Sequence, residues 1–283
     1  MQLREKTMQA VFFLTACLSI VSVALICLFL FANGIPAMGE IGALNFLLGK
    51  EWRPGNGMFG IFPMILGSIY VTAGAIAFGV PIGIFTAIFM ARFCPAKLYR
   101  ILKPAVELLA GIPSVVYGFF GLMVLVPLVR DTFDLVDGQT MLTASLLLGM
   151  MILPTIINVS ESSIRAVPQS YYEGGLALGA SHERSVFFTI LPGCTSGILS
   201  AVILGVGRAI GETMAVIMVA GNQPRPPKGL LAGVRTMTAN IVMEMGYAAD
   251  LHPQALIATA VVLFIFIMII NLAFSALKRR EAE

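Results

Sequence analysis

The feature that most constrains this chain is a series of long stretches without Asp, Glu, Lys or Arg. Five stretches are uninterrupted, and a sixth, residues 194–222, is interrupted only by Arg208 and Glu212. Each stretch exceeds the ~20 residues that a helix needs to cross the hydrocarbon core of a bilayer. The pattern predicts an all-α polytopic membrane protein with six transmembrane helices. The five uninterrupted stretches are residues 7–39, 54–91, 108–129, 138–160 and 251–277.

Composition excludes a soluble globule. Only 12% of the 283 residues are charged and 58% are hydrophobic, whereas about 25% of a soluble domain is charged. The net charge of +3 is small, and the basic residues cluster at loop edges, so binding to nucleic acid is not implied. The four cysteines lack metal-ligand spacing, and the two histidines lie in loops without a carboxylate or cysteine constellation. We therefore predict no metal site, no catalytic site and no cofactor.

Basic residues in the loops predict the orientation of the chain. The first apolar stretch is longer than a signal-peptide core, so it is interpreted as a retained helix. With the amino terminus inside, eleven Lys and Arg side chains lie on the cytoplasmic side and six on the other. The loop from Arg92 to Lys103, with four bases and no acid, contributes most to this difference. Cytoplasmic loops carry an excess of Lys and Arg, so we expect both termini in the cytoplasm.

The second apolar stretch is too long for one simple span. It contains 38 uncharged residues and is divided by Pro63 and Pro81, which fits a kinked helix or a short helix followed by a span. Gly79 and Gly83 stand at the spacing that lets a neighbouring helix approach closely. We interpret them as a packing face.

The segment 161–192 has more structure than a plain loop. Pro168 ends the preceding element, and Ser170 and Glu173 have the spacing of a capping box, which predicts a helix starting at Ser170. The glycines from Gly174 to Gly179 are poor helix formers, which indicates a close backbone contact. A second helical piece, residues 181–190, is expected to lead into the fifth span.

At this segment the chain resembles the membrane subunits of ABC importers. The family pattern is Glu-Ala-Ala, three residues, Gly, nine residues, Ile, one residue and Leu-Pro, and glycines replace both alanines here, with Thr189 at the Ile position. The resemblance implies coupling helices that dock in a cleft of an ATP-hydrolysing partner. The matching positions are Glu173, Gly174, Gly175, Gly179, Leu191 and Pro192.

A narrower resemblance concerns the substrate. Residues 110–118 and 207–215 are similar to the permeases of the bacterial high-affinity phosphate importer, and the Gly-Glu-Thr-Met-Ala ending is similar to the PstC type. The resemblance implies a type I permease fold, with a first helix and outer loop in 1–60 and a transport core in 61–283. It also implies a place in the bacterial inner membrane, a PstA-type sister permease, two copies of a PstB-type ATPase and an extracytoplasmic PstS-type phosphate-binding protein. The chain lacks a phosphate-binding loop of its own, so ATP hydrolysis is assigned to the partner.

Arg208 and Glu212 are the candidate substrate-path residues. Four positions apart, they are expected on one helical face, deep in the membrane, where charged groups normally face a protein interior or a water-filled path. A guanidinium can bind phosphate oxygens bidentately, and Glu212 could accept a hydrogen bond from the phosphate O–H, which sulfate lacks. The alternative is a buried ion pair that serves helix packing alone.

Three further side chains are assigned to the same path. Thr213 could offer a hydroxyl, although Thr in a span often bonds its own backbone. Glu107 either forms an interfacial pair with Lys103 or lines the inner half of the path. Ser114 follows a predicted helix break at residues 111–113, where free amides and a hydroxyl could face an anion.

Two rival functions remain open. One is a permease of another ABC importer, for sulfate, molybdate or amino acids. The other is an ion-coupled secondary transporter or intramembrane enzyme, which would require an inverted repeat or a nucleophile with a base, and neither is evident in the sequence.

Overall fold

The architecture is almost entirely helical. A computed structural model describes residues 2–282, with side chains from residue 5 to residue 276. A two-stranded antiparallel hairpin, β1 (Trp52–Arg53) and β2 (Met58–Phe59), pairs Trp52 with Phe59. The helices are α1 Gln2–Ile41, α2 Ala43–Leu48, α3 Phe62–Ile88, α4 Ala96–Gly111, α5 Ser114–Phe120, α6 Val126–Thr132, α7 Met141–Ala166, α8 Gln169–Ala177, α9 His182–Ser185, α10 Leu191–Gly193, α11 Thr195–Gly211, α12 Met214–Val219, α13 Met237–Met245 and α14 His252–Ala282.

Three π-helical turns extend these helices. They follow α3, join α5 to α6, and join α9 to α10, at Phe89–Phe93, Gly121–Leu125 and Val186–Ile190. Because of the second turn, α5 and α6 form one 19-residue helix, Ser114–Thr132.

Five described helices are long and apolar enough to cross a membrane, and they coincide with the five uninterrupted apolar stretches. They are Glu5–Ile41, Phe62–Phe93, Ser114–Thr132, Met141–Ala166 and His252–Ala276. The predicted fifth span is instead α11, of 17 residues, which follows His182–Gly193 after a 70° bend. The described residues therefore hold five such helices, or six when the bent pair counts as one span.

The second stretch forms one continuous helix, not a short helix and a span. Residues 54–61 lie in the hairpin and its connection, and α3 begins at Phe62. Pro63 occupies the first turn, where a missing N–H removes no helical hydrogen bond. Pro81 lies inside the helix.

The core is organised around α7, which packs against α3 and α11. The predicted packing role of Gly79 and Gly83 is confirmed. A Cβ at Gly79 would lie 2.8 Å from the carbonyl oxygen of Gly149, and one at Gly83 would lie 2.8 Å from Cγ2 of Ile156. The two glycines therefore let α3 approach α7 closely.

The segment after α7 differs from the sequence prediction in two respects. The helix continues to Ala166, so Glu161 lies within α7 and not in a loop. The predicted capping box is wrong, because α8 begins at Gln169 with Pro168 as its N-cap and no side-chain cap. Ser170 is therefore already inside the first turn. The second helical piece is confirmed, and Ser181 Oγ caps it by accepting from the Arg184 N–H.

Candidate substrate path and coupling surface

The fifth membrane region is broken at the predicted substrate residues. Helix α11 ends at Gly211, Glu212 is extended with φ −69° and ψ 131°, and α12 begins at Met214. The prediction that Arg208 and Glu212 share one helical face is therefore wrong, since that spacing requires a continuous helix. The two side chains form no ion pair among those that the structure describes.

Glu212 instead binds the amino end of α12. Its Oε1 atom accepts hydrogen bonds from the N–H groups of Thr213 and Ala215, both at 3.2 Å. The Oε2 atom has no protein partner among the described contacts. Thr213 donates its hydroxyl to the carbonyl of Gly211 at 3.2 Å, which is the local backbone bond that the sequence analysis considered for it.

Arg208 lies half-buried on α11, facing α7. Its only described hydrogen bond runs from Nη1 to Thr155 Oγ1 at 3.5 Å, the long end of the accepted range. A guanidinium has five N–H donors, so most of the donor capacity of Arg208 is uncommitted in the described contacts.

A second helix break lies beside the first. Helix α4 ends at Gly111, Ile112 and Pro113 are extended, and α5 begins at Ser114, so the predicted break is confirmed. Helices α5 and α12 pack side by side, and a Cβ at Gly118 would lie 3.0 Å from Cα of Ala215. The half-buried Ser114 thus begins a 19-residue helix. Val116 N–H and Tyr117 N–H donate to the Pro113 carbonyl at 3.0 and 3.3 Å, so the Ser114 and Val115 amides are the ones left without a described carbonyl partner.

A buried carboxylate near the carboxyl end of α7, Glu161, was not identified from the sequence. Glu161 is 1% exposed and accepts hydrogen bonds from Tyr99 Oη at 2.6 Å, Lys103 Nζ at 2.9 Å and Arg165 Nε at 2.8 Å. The hydrogen bond to Glu161, together with burial, raises the pKa of the Tyr99 hydroxyl. The available signal was the four-residue spacing of Glu161 and Arg165.

The Glu161 contacts bear on the interpretation of Glu107. Its carboxylate lies 3.8 Å from Lys103 Nζ and its side chain is 58% exposed. Lys103 makes its shorter bonds to Glu161 and to Asn158 Oδ1, both at 2.9 Å. This geometry favours the interfacial pair over a position lining the path.

The segment that matches the coupling pattern forms a paired-helix surface. Tyr172 Oη lies 2.8 Å from His182 Nδ1, which joins α8 to α9, and the His182 ring packs edge-on against Phe93 at the end of α3. Apolar side chains remain exposed, with Leu178 at 91% and Phe188 at 77%. Glu173, Gly174, Gly179 and Pro192 are exposed, and Gly175 and Leu191 are half-buried.

The close contact inferred from the glycines is located at Gly175. A Cβ there would lie 2.8 Å from Ser185 Oγ, whereas a Cβ at Gly174 would meet nothing within 4 Å. Gly179 has φ +82°, which glycine adopts readily, and it ends the turn after α8.

We predict that Gly175→Val separates α8 from α9, whereas Gly174→Val does not. Both changes place a β-branched residue in the same helix, but only the first overlaps Ser185, and overpacking costs about 1–3 kcal/mol. Thermal unfolding of the purified complex should show a midpoint several degrees lower for Gly175→Val alone. Equal midpoints for the two variants would contradict the packing described here.

Sequence comparison identifies the family of the chain. Residues 79–282 match the family described as "Binding-protein-dependent transport system inner membrane component". The chain belongs to this family. It is therefore a permease component of an ABC importer and a multi-pass membrane protein, and such permeases work with other components of their transporter.

Individual relatives confirm the resemblance to the PstC type. The chain is 35% identical to "Probable ABC transporter permease protein YqgH" of Bacillus subtilis, covering 91% of this chain and 87% of the relative. It is 34% identical to "Phosphate transport system permease protein PstC" of Mesorhizobium japonicum, covering 90% and 84%. The PstC protein of Xylella fastidiosa strain 9a5c is 32% identical, covering 95% and 91%.

Solved structures confirm the fold. A chain of the MetNI methionine ABC transporter in an inward-facing conformation superposes with a TM-score of 0.62 and 18% identity. The match covers 82% of this chain and 99% of that one. The predicted type I permease fold is therefore confirmed.

Proposed function

We propose that this permease translocates inorganic phosphate into the cytoplasm. The observation that carries the proposal is Arg208, a half-buried cation between two helix breaks with most of its donors uncommitted. Broken transmembrane helices commonly form the substrate sites of transporters. The PstC relatives support phosphate as the anion.

The chemistry of the site suits a protonated oxyanion. Arg208 would bind phosphate oxygens through paired N–H donors, and the Ser114 and Val115 amides with the Ser114 hydroxyl would add further donors. Glu212 keeps Oε2 for the phosphate O–H, because its Oε1 already binds α12. Thr213 would line the same break, and Glu107 would have at most an indirect role from the inner edge.

The conformational change of the permease would be driven by a partner ATPase. The exposed apolar side chains of α8 to α10 fit the helix-in-groove mode of recognition. Arg165 Nη2 donates to the Met90 carbonyl at 2.8 Å and Arg92 Nη2 to the Ile164 carbonyl at 3.0 Å. These bonds tie the ends of α3 and α7 together next to the coupling segment, so a displacement of that segment would reach both helices.

The complete transporter would combine this chain with a PstA-type sister permease, two PstB-type ATPase copies and a PstS-type phosphate-binding protein. Residues 61–283 would form the transport core, and residues 1–60 an additional helix and outer loop. Both termini would lie in the cytoplasm of a bacterial cell, as the distribution of Lys and Arg favours.

The proposal predicts selective, ATP-dependent phosphate uptake by the complete complex in liposomes. We expect labelled phosphate to accumulate only with ATP and the binding protein, with sulfate in tenfold excess reducing uptake by less than half. A complex without ATPase serves as the control for leakage. Sulfate or molybdate uptake at the phosphate rate, or uptake that follows an ion gradient without ATP, would overturn the proposal.

A further inference from the structure

Three helices meet at the buried carboxylate of Glu161. Its Oε2 atom accepts from Lys103 Nζ at 2.9 Å, and its Oε1 atom accepts from Tyr99 Oη at 2.6 Å, and both donors lie on α4. Oε1 also accepts from Arg165 Nε at 2.8 Å, and the same guanidinium donates to the Met90 carbonyl in the π-helical turn that ends α3. The Arg165 guanidinium lies 4.6 Å from the centre of the Tyr99 ring. The carboxylate therefore joins α4 to the ends of α7 and α3.

The same end of α7 is packed against the coupling segment, α8 to α10. Ile164, one turn beyond Glu161, shares a buried apolar cluster with Val186 and Ile190 of the coupling segment. All three apolar side chains are fully buried. Packed protein interiors are hardly compressible, so a displacement of the coupling segment is transmitted to the end of α7 that carries Glu161.

Helix α4 leads from Glu161 to the proposed substrate path. Lys103 bonds to Glu161, and Val106, one turn further along α4, packs against Ile157, one turn earlier in α7. The two helices are therefore antiparallel, and α4 ends directly before the break that precedes Ser114. A change in the tilt of α4 would move this break, where the proposed phosphate donors lie.

The break between α4 and α5 has the features of a hinge. Ile112 and Pro113 are extended, and hinges are commonly a few residues at the ends of elements that absorb a change of φ and ψ. A cavity of about 400 Å³ lies beside the break, with Leu109 and Val116 in its wall. Tyr117 Oη donates to the Leu109 carbonyl at 2.9 Å and so bonds α5 to the last turns of α4.

We propose that Glu161 is a positioning residue for transport, because its carboxylate makes α4 follow the coupling end of the molecule and so carries the ATP-driven displacement to the break before Ser114. The inference rests on the proposed import function. Glu161 is 1% exposed, so it acts through α4 and not by binding phosphate or the ATPase. Stability alone does not require the charged network, since apolar residues of similar volume often replace buried ion pairs without loss of stability.

The test removes only the α4 side of the contact. Tyr99→Phe with Lys103→Met deletes both donors on α4, and Arg165 remains as the counter-charge of Glu161. The measurement is the amount of labelled phosphate taken up per ATP hydrolysed by the complete transporter in liposomes. We expect this ratio to fall about fivefold, a change of the size that substitutions along coupling networks produce. ATPase activity should be retained, because the coupling surface is unchanged.

Three further variants control this result. Arg100→Met removes an exposed cation of the same helix that belongs to none of the ion pairs between described side chains, and it should leave the ratio unchanged. Lys103→Arg keeps a cationic donor for Glu161 and should keep most of the ratio. Lys103→Met alone should lower the ratio, because it fills the site without a donor.

Each outcome decides for or against the positioning role. An unchanged ratio in the double variant overturns it, as does a fall of ATPase activity and uptake by the same factor, which would assign the contact to the stability of the complex. If the double variant does not assemble, a lower ratio in Lys103→Met than in Lys103→Arg supports the proposal, and equal ratios overturn it. If the wild-type complex takes up no phosphate with ATP, the proposed import function has failed, which is a distinct result.

Discussion

Arg208→Gln is expected to reduce phosphate uptake at least a hundredfold, while the complex still assembles. The substitution keeps a polar side chain, although a shorter one, opposite Thr155, the one described partner of Arg208. It removes the charge and the paired donors, and charge-assisted hydrogen bonds are about twice as strong as neutral ones. The measurement is ATP-dependent phosphate uptake in liposomes, with the yield of intact complex followed by size-exclusion chromatography.

Two further variants make this result interpretable. Arg130→Gln removes an exposed cation at the end of α6 and should leave uptake unchanged. Arg208→Lys retains the charge but not the planar fork, and we expect it to assemble normally with intermediate uptake. Normal uptake by Arg208→Gln would eliminate the substrate role. If Arg208→Gln fails to assemble while Arg208→Lys restores both assembly and full uptake, the planar fork is not needed for transport, which contradicts bidentate binding by Arg208.

The positions of the membrane helices followed directly from the sequence. A helix in hydrocarbon must be apolar over its whole length, so the uncharged stretches marked five of the membrane regions. The break before Ser114 was also predictable, because proline disfavours helical conformation in the residue before it, and Ile112 is extended.

The geometry around Arg208 could not be predicted in the same way. The spacing of Arg208 and Glu212 places them on one face only while the helix continues, and no proline marks its end at Gly211. The sequence indicated both charged residues but not their separate positions. Arg208 faces α7, and Glu212 binds the amino end of α12.

The two buried carboxylates, Glu161 and Glu244, are surrounded by side chains from distant parts of the chain. Trp52 and Glu244 are 192 residues apart, and Lys103 and Glu161 are 58 apart. Periodicity and short motifs describe neighbours along one element, so these long-range pairs produce no local signal, and the four-residue spacing of Glu161 and Arg165 indicates only part of one cluster. Glu161 lies towards the coupling end of the molecule and Glu244 towards the opposite end.

Glu244→Leu is expected to be the most destabilising single change in the chain outside the helix packing faces. It removes the acceptor of Trp52, Arg235 and His252 and leaves the Arg235 side chain, 11% exposed, without its carboxylate. Breaking one partner of a buried ion pair costs about 3–5 kcal/mol. The thermal midpoint of the purified complex should fall by roughly 10 °C, at ~2–4 °C per kcal/mol.

A second substitution distinguishes two causes of the lost stability, the unpaired charge of Arg235 and the changed side-chain shape at position 244. If the cost arises mainly from the uncompensated guanidinium, adding Arg235→Met to Glu244→Leu should recover part of the lost stability, because two matched apolar residues can replace a buried pair. Glu51→Leu, which removes a carboxylate 57% exposed and 3.7 Å from Arg53, is the control and should shift the midpoint little, since surface pairs contribute about 0–1 kcal/mol. A Glu244→Leu midpoint equal to that of Glu51→Leu would show that the contacts of Glu244 with Trp52, Arg235 and His252 do not stabilise the fold. A double variant less stable than Glu244→Leu would assign the cost to the bonds from Arg235 to Asn222 and Asn240, which the single variant retains.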